Sequence, residues 1–375
     1  MSRSSARTPS ATGSPALRQN GTARHGNPRN GITRGGIRSR AGMAGAGTAA
    51  TLALLLSGCV SGEGSSEGDG DLDTLNIDFA TYNPLSLIIR DQGWLEDELE
   101  EFDTDVNWIQ SAGSNKANEN LRSEAIDVGS TAGSAALLAR ANGAPIETIL
   151  VADQPEWTAL VTNEGSDIDT VEQLEGASVA ATRGTDPYFF LIQALDAAGI
   201  ETSDVEVQNL QHADGWRALE NGDVDAWSGL DPIMAGAEND GAELFFRDLD
   251  LITYSFVNAT EDFTDNHPEV AQKVVDVYEQ ARQWAEDNPE ETAEILAEEA
   301  GLELDVAERV IQERSNFDVD PVPGEDQRAV LENVGPLLVD TGDVADQDDV
   351  DTALDELFNP EFAEDAEATS AEEDQ

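Results

Sequence analysis

Apolar and polar positions change their spacing in a regular order along this chain. Leu75 to Ala80 alternates and predicts a strand, and Pro84 then opens a helix through Leu87, Ile88 and Trp94. Val106 to Ile109 predicts a second strand, followed by a helix around Lys116 to Ser123. Ala125 to Gly129 reads as a short strand, with a helix of small residues starting at Ser130-Thr131 and ending near Asn142-Gly143. Strands at Ile146 to Val151 and Thr158 to Val161 flank the polar corner Asp153-Gln154-Pro155-Glu156-Trp157. Next comes a unit in which Val179, Ala180 and Ala181 form a buried strand and Thr182 to Thr185 a turn. A helix then begins with Asp186 as N-cap and Pro187 at its first position, and Gly199 closes it. Such a turn leaves backbone N–H groups facing open space, which favours an anion, although an ordinary strand–helix connection has the same pattern.

The alternation continues through strands at Val205 to Leu210, Val224 to Trp227, Glu243 to Phe246 and Leu251 to Val257, with helices at Trp216 to Glu220 and after Pro232. From Pro268 the spacing turns helical. Val270, Val274, Val277, Ala281 and Trp284 share one face, and Asn288-Pro289-Glu290-Glu291 starts the next helix, which Gly301 ends. Helices at Val306 to Glu313, Gln327 to Leu338 and Val350 to Phe358 follow. Two strand–helix series predict an α/β protein of two lobes, each with a mainly parallel sheet flanked by helices, and a helical C-terminal block. The expected division is 74–153 and 254–359 for the first lobe and 154–253 for the second, with the chain crossing the hinge twice and an acidic tail over 360–375. A ligand would sit between the lobes, at the carboxyl ends of the strands.

Composition alters this picture at the ends and on the surface. The first 58 residues hold eight arginines and no acid, so 12 basic and 77 acidic residues remain from Cys59 onward, near −65 in net charge. That surface repels nucleic acid and anionic membranes. Because the acids are spread between apolar periodic segments, they read as adaptation of a folded protein to molar salt, where the Debye length is about 3 Å, and a haloarchaeal source fits. A basic, Gly/Ser-rich region followed by 16 small apolar residues reads as a signal segment over 1–58, too short to span a bilayer. Leu56-Ser57-Gly58-Cys59 resembles a lipobox, which makes Cys59 the expected lipid-attachment residue and 59–73 a flexible tether; a buried structural cysteine is the alternative. No Arg-Arg pair marks the export route, only Arg38-Ser39-Arg40. A lone cysteine excludes an intramolecular disulfide.

Four segments, Ala125–Glu147, Ser178–Glu201, Gly222–Ile233 and Phe263–Tyr278 continued by Trp284–Thr292, together resemble the substrate-binding proteins of ABC importers. The likeness runs from about Leu75 to Pro321. It is to the nitrate/sulfonate/taurine group, which has the type II periplasmic-binding-protein fold. The resemblance implies an extracytoplasmic, lipid-anchored, monomeric receptor that captures a small anionic or zwitterionic solute and delivers it to a permease with a cytoplasmic ATPase. It implies no cofactor and no catalysis. A binding protein or synthase for thiamine-pyrimidine precursors on the same scaffold is the alternative, and a sensing or structural surface lipoprotein is a third reading.

The same likeness implies ligand contacts at Tyr82 and Asn83, at Ser114 and Asn115, at Ser130 and Thr131, and at Gln154, Glu156 and Trp157. It adds Arg183, Gly184, Thr185 and Asp186 in the turn, and Trp227 and Asp231. Each has a plainer reading. Tyr82 or Trp227 fits a core aromatic, Ser130, Thr131 or Asp186 a helix cap, and Arg183 a surface ion pair. Glu156 or Asp231 would take the amine of a zwitterion. His25, His212 and His267 show no metal-ligand spacing, and no phosphate-loop, dinucleotide or Gly-x-Ser-x-Gly motif occurs.

Overall fold

The computed structural model of the chain describes residues 72–366. The expected signal segment, Cys59 and nearly all of the tether lie outside them, as do residues 367–375. Two five-stranded sheets organise the described residues. The first contains β1 (Thr74–Phe79), β2 (Asp105–Gln110), β3 (Val128–Ala132) and β4 (Ile146–Asp153). The second contains β5 (Thr158–Thr162), β6 (Ser178–Ala180), β7 (Glu206–Gln208), β8 (Ala226–Leu230) and β9 (Glu243–Phe246). β10 (Ser255–Thr260) returns to the first sheet. The orders are β2-β1-β3-β10-β4 and β7-β6-β8-β5-β9.

In each sheet four strands run one way and the fifth, β5 or β10, runs against them. Each odd strand directly follows a crossing between the sheets. The chain arrives at the cleft edge and has to run away from it, so a βα crossover that would restore the common direction is absent at these two steps. The two-lobe α/β architecture expected from the pattern is therefore present, with a helical block after β10.

Central strands are buried throughout: all five residues of β3 and all six of β10 are shielded from solvent. Beneath the first sheet, Leu75, Ile77 and Val128 pack on Ile88 and Ile89 and on Val274, Val277 and Ala281 of the Pro268–Asp287 helix. A second cluster is continuous across both sheets, joining Ala135, Leu137 and Leu331 to Tyr188, Phe189 and Leu191 of the Asp186–Ala198 helix. The two halves thus share apolar packing as well as covalent links.

Several boundaries differ from expectation for physical reasons. Ser130 and Thr131 belong to β3, not to the helix, which starts at Gly133. Residues 128–132 pair in register with 259–255 of β10, and the Ser130 N–H donates to buried Asp78. The Asp186–Ala198 helix takes Thr185 as its N-cap, so Asp186 is its first residue and Pro187 its second. Gly93, at φ 71°, ends the first helix at Gln92, and Trp94 opens a separate one. β10 starts at Ser255 rather than Leu251, because Thr253 bonds to Asp186. Part of the expected acidic tail is ordered: Glu361–Glu364 forms a helical turn, with Ala363 packed under the first sheet.

The His212–Glu220 helix docks on the second sheet through Gly215. A Cβ there would stand 2.8 Å from Trp227 Nε1 and 2.9 Å from its Cδ1. Gly215→Ala should therefore force the indole or the helix to shift, costing about 1–3 kcal/mol. A thermal-unfolding scan should show a drop of a few degrees, and an unchanged melting temperature would refute this account of the packing.

Candidate functional site

The carboxyl ends of the strands in the two sheets face one another. From the first half come Tyr82 and Asn83 after β1, Gly113 to Asn115 after β2, Ser134 after β3 and Asp153 at the end of β4. From the second come Thr182 to Asp186 after β6, Gln211 and His212 after β7, and Asp231 after β8. The halves are closed on each other. A Cβ on Gly113 would meet His212 Nε2 at 2.9 Å, and one on Gly184 would meet the Asn115 Cβ at 3.6 Å. One opening left between them is a small cavity of about 20 Å³ bounded by Tyr82, Asp153, Trp157, Asp231, Arg314 and neighbouring residues.

Asp186 is the centre of the closure. Its carboxylate accepts from Ser134 Oγ at 2.6 Å, Thr253 Oγ1 at 2.7 Å, Trp157 Nε1 at 2.9 Å and Thr253 N at 3.0 Å. Burial raises its pKa, and the four donors oppose that rise.

Trp157, held by Asp186, meets Tyr82 edge to face at 6.3 Å. Tyr82 donates to the Ser130 carbonyl at 3.0 Å. Behind Tyr82 lies Asp78, which accepts from Ser130 N at 2.9 Å and Oγ at 3.1 Å while its Oδ2 has no hydrogen-bond partner. Burial pushes its pKa up to about 7, against the lowering effect of Ser111 and Ser130. Asn83 Nδ2 donates to Tyr278 Oη at 3.4 Å and its Oδ1 is unpartnered. Asp153 is 2% exposed, and neither carboxylate oxygen has a hydrogen-bond partner. Its pKa also rises to about 7 through burial, lowered only by nearby Ser255.

Arg314 brings the guanidinium of the pocket. It ends a π-helical turn, Val310–Arg314, and donates to both oxygens of Asp231 at 3.1 Å and to Glu238. Burial outweighs Arg314 and raises the pKa of Asp231 to about 6.

The expected contacts thus divide. Tyr82, Trp157 and Asp231 line the pocket. Asn83, Ser114, Asn115, Thr185 and Asp186 lie along the cleft edges, Ser114 accepting from the Ala132 N–H and Thr185 donating to the Thr182 carbonyl. Ser130 supports Asp78, and Thr131 accepts from Asn258 within the sheet. Gln154 and Glu156 bond through their backbone N–H groups to Asn316 and Arg314, and the Glu156 carboxylate pairs with Arg247 at 2.6 Å. Gly184 takes φ 76° in its turn. Arg183 points away, over the Tyr188 ring and toward Asp343 at 3.4 Å. Trp227 packs on Gly215 and Trp216 inside the second half.

Sequence reading missed Asp78, Asp153, Ser134, Thr253, Tyr278 and Arg314 as site residues. Two left a signal: Asp78 interrupts an apolar strand and Asp153 ends one.

Residues 88–292, more than half of the chain, match the family model described as NMT1/THI5 like. The chain belongs to that family. It is 26% identical over 264 residues to a Bacillus subtilis protein named "Putative aliphatic sulfonates-binding protein", covering 69% of this chain and 79% of that one. An Escherichia coli protein of the same name is 28% identical over 223 residues, covering 59% and 70%. Among solved structures, the alkanesulfonate-binding protein of Xanthomonas axonopodis pv. citri bound to MOPS shares the fold. Its TM-score is 0.68 at 22% identity, covering 76% of this chain and 99% of that one.

Asp78 and Asp153 keep their protons to about pH 7 when folded, whereas in the unfolded chain they lose them near the ordinary 3.8. The stability they contribute is fully present below pH 3.8, falls progressively above it and is lost as pH rises through about 7. Buried His212, lowered to about 4, acts in the opposite sense but only below its ordinary 6.5. From about pH 6.5 to about pH 8.5, stability should fall on the order of 1 kcal/mol for each of the two carboxyls. Thermal unfolding in molar KCl should show the decline, and the Asp78→Asn/Asp153→Asn double variant should flatten it. A wild-type melting temperature that rises over that interval would contradict the assignment.

Proposed function

We propose that this chain is the solute-binding component of an ABC importer, closing its two halves around a small organic solute, a sulfonate foremost, and presenting it to a membrane permease. The observation that carries this is the pocket between the two sheets, where polar groups from both halves, from the first crossing and from the helical block converge. Family membership and the names of the two relatives support the same reading. An edge-to-face aromatic pair beside buried polar groups suits a small solute with both an apolar stem and a polar head. Capture would work by population shift: a ligand touching both halves favours the closed arrangement, which the permease then distinguishes from the open one.

Anchoring through Cys59 would keep the receptor at the outer face of the cell membrane, and a folded monomer on a polar tether would satisfy that role. In this reading the protein binds without turnover, as the named relatives are binding proteins.

A thermal-shift panel of alkanesulfonates, taurine, nitrate, bicarbonate and thiamine pyrimidines in molar KCl tests the proposal. At a ligand concentration about 100 times Kd, a true solute should add about 2.7 kcal/mol of stability. Tyr82→Ala should weaken that solute about tenfold or more, because it removes one ring of the pair. Stabilisation by nitrate or a pyrimidine alone would move the solute class, and no stabilisation by any of the panel would overturn the receptor reading.

A further inference from the structure

The cavity where the two halves meet holds more acid than base. Its charged walls are Asp153 at the end of β4, Asp231 after β8 and Arg314 of the π-helical turn. Arg314 donates to both oxygens of Asp231, and Glu238 behind it is shared with Arg309 at 3.7 Å. Two guanidinium groups thus balance two carboxylates, and Asp153 is left uncompensated. Tyr82 faces it with a hydroxyl, Asp78 lies behind Tyr82, and Ser255 of β10 stands opposite it in register. A space of about 20 Å³ has room for about one water molecule, so a carboxylate there, with one serine hydroxyl beside it, is poorly solvated. A carboxylic acid in the same place both donates and accepts, and the hydroxyl suffices for it. Parting the halves would draw Trp157 and Asp231 away from Asp153 and admit water, which favours the ionised form.

We propose that closure of the two halves takes up a proton on Asp153, so that the cleft is held shut in acid and opens more readily as pH rises. This device needs the hinge and not a particular solute, so it goes beyond the receptor reading. Burial pushes the Asp153 carboxyl up to about 7 in the closed arrangement, whereas a hydrated one keeps to the ordinary 3.8. Between about pH 5.5 and about pH 8.5 that difference lowers the closed-to-open ratio about thirtyfold. Asp231, raised to about 6, and Asp186, also raised by burial, act in the same direction. His212 opposes them: it packs on Gly113 across the closure, and opening would let it take a proton near its ordinary 6.5. The net fall is about tenfold or more.

Hydrogen exchange of the full chain in molar KCl, with no solute added, tests this. The Ser134 and Thr253 amides belong to the joint around Asp186 and report parting of the halves. The Val257 to Ala259 amides, in mid-sheet, report global unfolding. After correction for the intrinsic effect of pH, protection at the joint relative to mid-sheet should fall about tenfold or more over that interval. In Asp153→Asn the fall should disappear or reverse as His212 takes over, whereas Asp78→Asn, altered inside the first half, should keep it. Joint protection that is constant with pH, or that falls only in step with mid-sheet, would overturn the switch. The wild-type profile decides this alone should a variant fail to fold. A fall lost in Asp78→Asn and kept in Asp153→Asn would overturn the assignment to Asp153. Failure here leaves the receptor reading standing, and failure of every solute to bind leaves the switch standing.

Discussion

One buried carboxylate holds the two halves in their closed relation. Asp186 begins a helix of the second half, yet its donors come from elsewhere: Ser134 at the start of a first-half helix, Trp157 on the outward crossing and Thr253 on the return. Removing any of the donors would leave part of a 1%-exposed carboxylate without compensation, a loss on the order of 1–3 kcal/mol. The position of Trp157, and through it the Tyr82–Trp157 corner of the pocket, follows from this bond set.

Around that joint the protein separates two kinds of acidic group. Most of the acids among the described residues are exposed to water, where dissolved salt screens them. Asp78, Asp153, Asp186 and Asp231 are at most 4% exposed, and there burial rather than repulsion sets their behaviour. Asp186 and Asp231 have their compensation in donors and a guanidinium. Asp78 is half satisfied, and Asp153 has little beside it but the Ser255 hydroxyl. That gradient of satisfaction runs from the structural joint to the pocket wall, as expected where polarity is kept for a ligand and not for stability.

Much of this architecture was legible because period is a strong signal. The strand–helix alternation, the polar corner at Asp153–Trp157 and the helical block after Pro268 all follow from spacing. Local runs of small residues were less informative: Val128 to Ala136 contains no contrast that separates strand from helix, and long-range pairing with β10 decides it. The candidate site was partly legible. Tyr82, Trp157 and Asp231 came from motif position, but side-chain direction is not written in spacing. Arg183 and Arg314 are equally scarce cations in an acidic chain, and only tertiary packing sends the first to Asp343 and the second to Asp231. Asp186 looked like a cap because capping is a local rule, whereas the three residues that donate to it lie 29 to 67 residues away.

The two strands that oppose their neighbours have a mechanical corollary. β4 passes into β5 and β9 into β10 side by side, with Ser255 opposite Asp153 and Glu156 clamped to Arg247 across the gap. A single connection would let one half swivel freely about the other, but a pair of adjacent straps fixes an axle. Relative motion then reduces to one angle, so a molecule gripping both walls sets that angle, and an observer outside can read it as open or shut.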